Sequence, residues 1–197
     1  MKNLSRLRVC FKNGKRVFFP SLLIFFPGSF AWAIDFSLLG SLTASFDSIS
    51  PAPLSFNSGF GGGGGVTAGF DMTPFTSLET GLLFTSHSFS FVSGAGSQSV
   101  VSRFAQIPVW IRVSPISFFS LNFGPYLSIP TYSSPGPSGW DYGVQLGASL
   151  RFELLPSIKW RTDVLYEFGL SNLLIGTMTT QNTRDILILT GFMVEIF

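Results

Sequence analysis

From Trp140 to Glu153 apolar and polar residues alternate without a break. Trp140, Tyr142, Val144, Leu146, Ala148, Leu150 and Phe152 share one parity, and Asp141, Gly143, Gln145, Gly147, Ser149, Arg151 and Glu153 the other. A β-strand sends successive side chains to opposite faces, so this period of two describes a strand with one apolar face and one charged or small face. The next segment repeats the pattern, with Ile158, Trp160, Thr162, Val164, Tyr166 and Phe168 opposed by Lys159, Arg161, Asp163, Leu165, Glu167 and Gly169. A soluble β-protein of this size seldom combines so few charges, 11%, with so many large apolar residues. No stretch after residue 33 offers the roughly 18 consecutive apolar residues of a membrane-spanning helix. A closed β-barrel satisfies both constraints, because it places apolar side chains in lipid with only alternating hydrophobicity and pairs every backbone group.

Six further segments alternate with less contrast: 34–46, 61–72, 76–89, 99–114, 118–129 and 183–197. The expected fold is therefore all-β, a transmembrane antiparallel up-and-down barrel of about eight strands. Thr73-Pro74, Ser114-Pro115 and Leu155-Pro156 mark short turns, and their prolines recur every 41 residues, which reads as a repeated two-strand unit. The connections near 47–60, 90–98, 130–138 and 171–183 are longer and rich in Ser, Gly, Pro and Asn. Short turns at one end and long loops at the other are the polarity of an outer-membrane barrel, with the turns and both termini periplasmic. Pro108 lies inside a strand and predicts a bulge or local break. The run Gly61–Gly65 makes the second strand the least secure, and without a strand-loop-helix context or a following Lys-Ser/Thr it is no nucleotide-binding loop.

The N-terminus reads as a targeting segment. Lys2, Arg6, Arg8, Lys12, Lys15 and Arg16 precede an apolar run from Val17 to Phe26, and Ala31-Trp32-Ala33 offers small residues at the positions a signal peptidase inspects. The expected organisation is a signal peptide over 1–33 and a barrel over 34–197. Without the first 33 residues, 164 remain, carrying six basic and ten acidic side chains, a formal charge of −4. The basicity of the whole chain thus belongs to the leader and gives no argument for nucleic-acid binding. The single cysteine, Cys10, lies in the leader, so the barrel has no thiol chemistry. At the other end, a terminal Phe197 is the expected signal to the barrel-insertion machinery. Glu195 departs from that signal, since an apolar residue is usual two positions before the end.

Several short patterns recur in order along the barrel segment: Gln106-Ile107-Pro108-Val109-Trp110-Ile111-Arg112, Gly124-Pro125-Tyr126, Asp141-Tyr142-Gly143 with Gly147, and Tyr166 with Gly169-Leu170-Ser171-Asn172. In these the chain resembles the outer-membrane β-barrel domain family that includes PorT-like members. The resemblance implies a small barrel without established catalytic residues, and some relatives assist secretion or gliding machinery.

The alternation aims Glu79, Arg112, Arg151, Glu153, Lys159, Arg161, Asp163 and Glu167 into the lumen. Eight strands enclose little more than their own side chains, so these charges are expected to pair as a polar plug. Tyr126, Trp140, Tyr142 and Trp160, with Tyr132, lie near segment ends as an interfacial aromatic girdle. The only histidine, His87, shares its face with Thr85 and Phe89 but not with Ser86 or Ser88, and reads as a polar loop residue rather than a catalytic base. Phe56 and Phe60 belong to the first long loop, expected to fold over the barrel. No carboxylate pair or metal-ligand spacing stands out, so no catalytic residue, metal or cofactor is expected. The expected protein is a plugged barrel of a Gram-negative outer membrane. Its partners are membrane lipid, the insertion machinery and an envelope protein, with no nucleic acid. A narrow solute channel and a lipid-modifying enzyme are the alternatives.

Overall fold

The computed structural model describes residues 34–46, 48–50, 55–57, 59–93, 96–133, 137–171, 173–175 and 179–196. The leader over 1–33 and the terminal Phe197 lie outside the described residues, as do the side chains of Phe56 and Tyr132. Eight long strands form the wall: β1 (Ile34–Ser45), β2 (Phe60–Thr73), β3 (Thr76–Ser93), β4 (Gly96–Ile116), β5 (Phe119–Ser133), β6 (Asp141–Leu155), β7 (Ile158–Gly169) and β8 (Arg184–Ile196). Each pairs antiparallel with its neighbours in sequence, and β1 pairs with β8, so the sheet closes. Among the described residues there is no helix.

The closure has a definite stagger. Asp35 on β1 faces Gly69 on β2, Gly69 faces Glu79 on β3, and Glu79 faces Trp110 on β4. The β4–β5 ladder sets Pro108 against Tyr126 and Ile111 against Phe123, which brings Trp110 level with Gly124. From there Gly124 faces Gln145, Gln145 faces Glu167, Glu167 faces Asp185, and Asp185 faces Ser45, back on β1. The circuit leaves β1 at Asp35 and returns ten residues further on. With strands about 4.8 Å apart, that shear tilts them by about 40° to the barrel axis. Every residue on this circuit points inward, so the stagger lays a rising line of polar groups along the inner wall.

Both ends of the described barrel, Ile34 and Ile196, pair with each other at the end that carries the three short turns. A stitch repeats there: Phe75, Phe118 and Ser157, each in a turn, accept the backbone N–H of Ser114, Arg151 and Glu195 in turn. One expected turn is displaced. Pro115 lies within β4 at a register shift between Val113 and Ile116, and the chain reverses at Ser117-Phe118 instead. The strand has room to extend past the proline because the irregularity takes up the lost N–H. Pro108 produces a break without a bulge. The β3–β4 ladder skips from Thr80–Val109 to Leu83–Gln106 in unchanged register, and the Thr80 hydroxyl donates to the Pro108 carbonyl at 2.8 Å.

The glycine run is a full strand, paired on both edges. A Cβ at Gly63 would lie 1.8 Å from the carbonyl oxygen of Phe84, and one at Gly65 would lie 2.1 Å from that of Leu82. Only glycine lets β2 and β3 approach this closely on the inside of a tightly curled wall. Phe60, expected in the loop, is the first residue of this strand and is exposed. At the loop end the connections are also more ordered than their composition suggests. β3 and β4 run on to Ser93 and Gly96, Ser55–Asn57 pairs with β3, and Ser48–Ser50, Thr179–Asn182, Leu173–Ile175 and Pro137–Ser138 form a separate four-stranded antiparallel sheet.

Candidate functional site: the lumen

The outward side chains are apolar and exposed, among them Leu38, Val144, Leu146, Val164 and Phe192. The inward ones are mostly buried, and they divide into two polar levels with an apolar layer between them. Nearest the turns lies a fully buried ion cluster. Arg161 on β7 and Asp163, two residues on and thus on the same face, form a fork, with Nε donating to Oδ1 at 2.9 Å and Nη2 donating to Oδ2. The same guanidinium donates through Nη1 to Glu79 Oε1 at 2.5 Å and to the hydroxyl of Ser37 at 3.1 Å. Glu79 Oε2 pairs in turn with Arg112 Nη2, and Arg112 Nε donates to Asn122 Oδ1 at 3.1 Å. Asn122 continues the chain to Ser149. Charge-assisted, two-pronged contacts of this kind are the geometry that offsets the desolvation of buried ions. Asp35 faces the cluster from β1. It fits because its neighbour is Gly69, whose Cβ would lie only 2.5 Å from Asp35 Oδ1.

Above this cluster, Leu39, Leu83, Trp110, Leu165, Leu187 and Leu189 form one buried apolar layer inside the barrel. Trp110 ties it to both neighbours. Its Nε1 donates to Gln145 Oε1 at 2.5 Å, and the Arg161 guanidinium lies 5.9 Å from its ring centroid.

The second polar level lies toward the loops. Gln106 and Gln145 both donate to Glu167 Oε1, the former at 2.9 Å. His87 Nδ1 lies 3.0 Å from Asp185 Oδ2 and 3.2 Å from Ser45 Oγ, its Nε2 lies 3.3 Å from Thr85 Oγ1, and Phe104 meets the ring edge-on. Tyr126 donates to Asp141 Oδ2 at 3.0 Å, and Ser171 donates to Asp141 Oδ1.

These positions sort the residues singled out in the sequence. Glu79, Arg112, Arg161 and Asp163 meet in one network. Arg151 lies beside it but donates to hydroxyls, those of Ser114 at 2.9 Å and Ser120 at 3.0 Å. Glu167 belongs to the loop-side level, with the apolar layer between it and the ion cluster. Lys159 pairs with Glu195 near the turns, where both are partly exposed. Glu153 is exposed and does not point into a closed lumen, because β6 has run past the level at which the barrel is filled. Trp140, Tyr142 and Trp160 are on the outside, the last set edge-on to Phe192. Tyr126 is not in the girdle. Its parity on β5 is that of Asn122 and Ser128, and it is buried inside.

His87 is likewise no loop residue. It is buried on β3, which continues six residues beyond it. Ser45, His87 and Asp185 bring together the residue types of a hydrolase, but Ser45 and Asp185 both contact Nδ1. A general base needs its nucleophile on the nitrogen opposite the carboxylate. Ser86 and Ser88 are on the other face and donate to the carbonyls of Gly62 and Phe60. Residues that sequence reading missed are Trp110, Gln106, Gln145, Asp141, Asp185 and the inward role of Tyr126. All have the inward parity of their strands, which is plainly polar on β5 and β6 but is masked on β8, where Asp185 shares its face with Leu187, Leu189 and Met193.

Among solved structures, the outer membrane protein OprG from Pseudomonas aeruginosa superimposes with a TM-score of 0.66 at 10% identity, over 83% of this chain and 95% of that one. Neisserial surface protein A gives 0.48 at 14% identity, over 82% and 97%. Ail of Yersinia pestis gives 0.46 at 14% identity, over 81% and 97%. No family model matches the sequence, and no curated protein matches it. The superposition on OprG shows that the chain has the fold of a small outer-membrane β-barrel.

Proposed function

We propose that this chain is an outer-membrane β-barrel of a Gram-negative bacterium that serves the envelope as a non-conducting structural or interaction protein and catalyses no reaction. The observation that carries this reading is the filled lumen: the Glu79–Arg112–Arg161–Asp163 cluster and the layer built on Trp110 succeed one another along the axis. An exterior of exposed Leu, Val and Phe on a wall without free edges supports placement in lipid. In that setting the turns and both ends of the barrel are periplasmic and the small loop sheet lies outside the cell. Partners are then the surrounding lipid, the insertion machinery that delivers the barrel, and an envelope protein. The resemblance to PorT-like barrels supports an accessory role in secretion or envelope assembly.

Planar-bilayer recording of the purified protein tests the plug. The expected result is a silent bilayer, and steady single-channel currents of porin size would replace this reading with that of a solute channel. Lipid A mass spectra from cells with and without the protein should coincide, whereas a difference in acylation would make it a lipid-modifying enzyme.

A further inference from the structure

The two polar levels of the lumen differ in charge balance. Near the turns, Asp35, Glu79 and Asp163 face Arg112, Arg151 and Arg161, three of each sign. Toward the loops, Asp141, Glu167 and Asp185 face a single imidazole, His87. Arg103 and Arg184, the arginines of the described residues at this height, are on the outer face, and the Arg184 guanidinium lies 5.4 Å from the Phe168 ring centroid. Even a protonated His87 leaves two carboxylates without a counter-charge. Buried charge needs a partner.

The hydrogen bonds show where the deficit sits. Asp141 receives the hydroxyls of Tyr126 and Ser171, and Glu167 receives the amides of Gln106 and Gln145. Asp185 is fully buried and directly opposite Glu167 in register, yet beyond its contact with His87 neither carboxylate oxygen has a hydrogen-bond partner among the described residues. Three neutral oxygens of the same level are also buried and unpartnered: Gln106 Oε1, Thr43 Oγ1 and Ser102 Oγ. Gln106 already bonds Glu167, Thr43 lies two residues from Ser45 on its strand face, and Ser102 faces His87 across the β3–β4 ladder. The level therefore has a surplus of negative charge and of oxygen lone pairs, which the two hydroxyl hydrogens of Thr43 and Ser102 cannot neutralise. A water molecule would supply donors but no charge. A hard cation supplies charge and takes its ligands from carboxylate, amide and hydroxyl oxygens together.

We propose that the loop-side half of the lumen binds one hard, oxygen-ligated cation, with Ca2+ the best match, held by Asp185 and Glu167 and completed by the neutral oxygens of Gln106 and Thr43. The site stabilises the barrel where the long connections leave it. The inference rests on the closed lumen proposed above, and its test is separate from bilayer recording.

The full mature chain is purified in a zwitterionic detergent, stripped with a chelator, and melted in tetramethylammonium chloride with added Ca2+, Mg2+ or Na+ at constant ionic strength. Ca2+ is expected to raise the midpoint saturably, by about 5–10 °C at a hundredfold excess over its dissociation constant. Asp185→Asn should abolish the shift, while Glu153→Gln, at the exposed turn end, should keep it. Should Asp185→Asn fail to fold, equilibrium dialysis of the unaltered protein decides, with one Ca2+ per chain expected. A midpoint indifferent to all three ions, an equal shift in Asp185→Asn, or a rise on acidification with no ion bound would each overturn the site.

Discussion

Arg161 collects Asp163 from its own strand, Ser37 from β1 and Glu79 from β3, so one side chain joins three strands of the wall from within. Its replacement by Met would leave Asp163 buried without the guanidinium it pairs with, and Glu79 with Arg112 alone. Arg161→Met is expected to cost about 3–5 kcal/mol in unfolding free energy measured in lipid. Arg151→Met should cost less, about 1–3 kcal/mol, because Arg151 is half-buried and donates to two neutral serine hydroxyls, so its loss strands no carboxylate that it directly pairs with. Equal losses for the two, or the larger one at Arg151, would show that the cluster is not centred where the geometry puts it.

Single strands carry the next set of consequences. Gly63 and Gly40 are both wall glycines, but a Cβ on Gly63 would meet the Phe84 carbonyl at 1.8 Å while one on Gly40 finds its nearest atom at 3.8 Å. Gly63→Ala should therefore destabilise the barrel by more than about 1 kcal/mol and Gly40→Ala should be neutral or mildly stabilising, as chemical denaturation in bilayers would read out. On β6, Leu146 is 64% exposed and aims at lipid. Leu146→Arg should cost about 2–4 kcal/mol if its height is near the bilayer midplane. The next residue inward, Gln145, is no tolerant neighbour, since it links Trp110 to Glu167. A Leu146→Arg protein as stable as its parent would mean that the inner and outer faces had been exchanged.

At the scale of the molecule, closure is the property on which the rest depends. The ten-residue stagger brings Glu167 of β7 opposite Asp185 of β8 and Asp185 opposite Ser45 of β1. A different shear would set other side chains together in the lumen without changing a single strand. The described part of β1 starts at Ile34, whose partners are Ile196 and Phe70. We expect the protein extracted from membranes to begin at that residue, and N-terminal sequencing checks it. A protein that retained residues 1–33 would make the apolar run an anchor.

The alternation of side chains is a local property, so strand number, the inward and outward faces, and the short turns at Pro74 and Pro156 were legible from residue order alone. The turn expected at Pro115 was not, because whether a proline ends a strand or is absorbed in an irregularity depends on the partner strand's register. Parity assigned eight charges to the inner face but could not give their grouping, nor that Glu153 would be exposed at the turn end. Parity says which way Glu167 and Arg112 point, and says nothing of height. Height is set by the shear, which is why Glu167 joins His87 and Asp185 while Glu79 joins Arg112 and Arg161. Tyr126 and His87 were misplaced for a related reason. An aromatic near a segment end reads as a girdle residue, and a polar residue near a loop reads as part of it, until the neighbouring strand shows how far the wall continues. Local order determined the faces of this protein, and only closure of the sheet decided which residues meet inside it, because contact across a barrel is fixed by stagger and not by spacing along the chain.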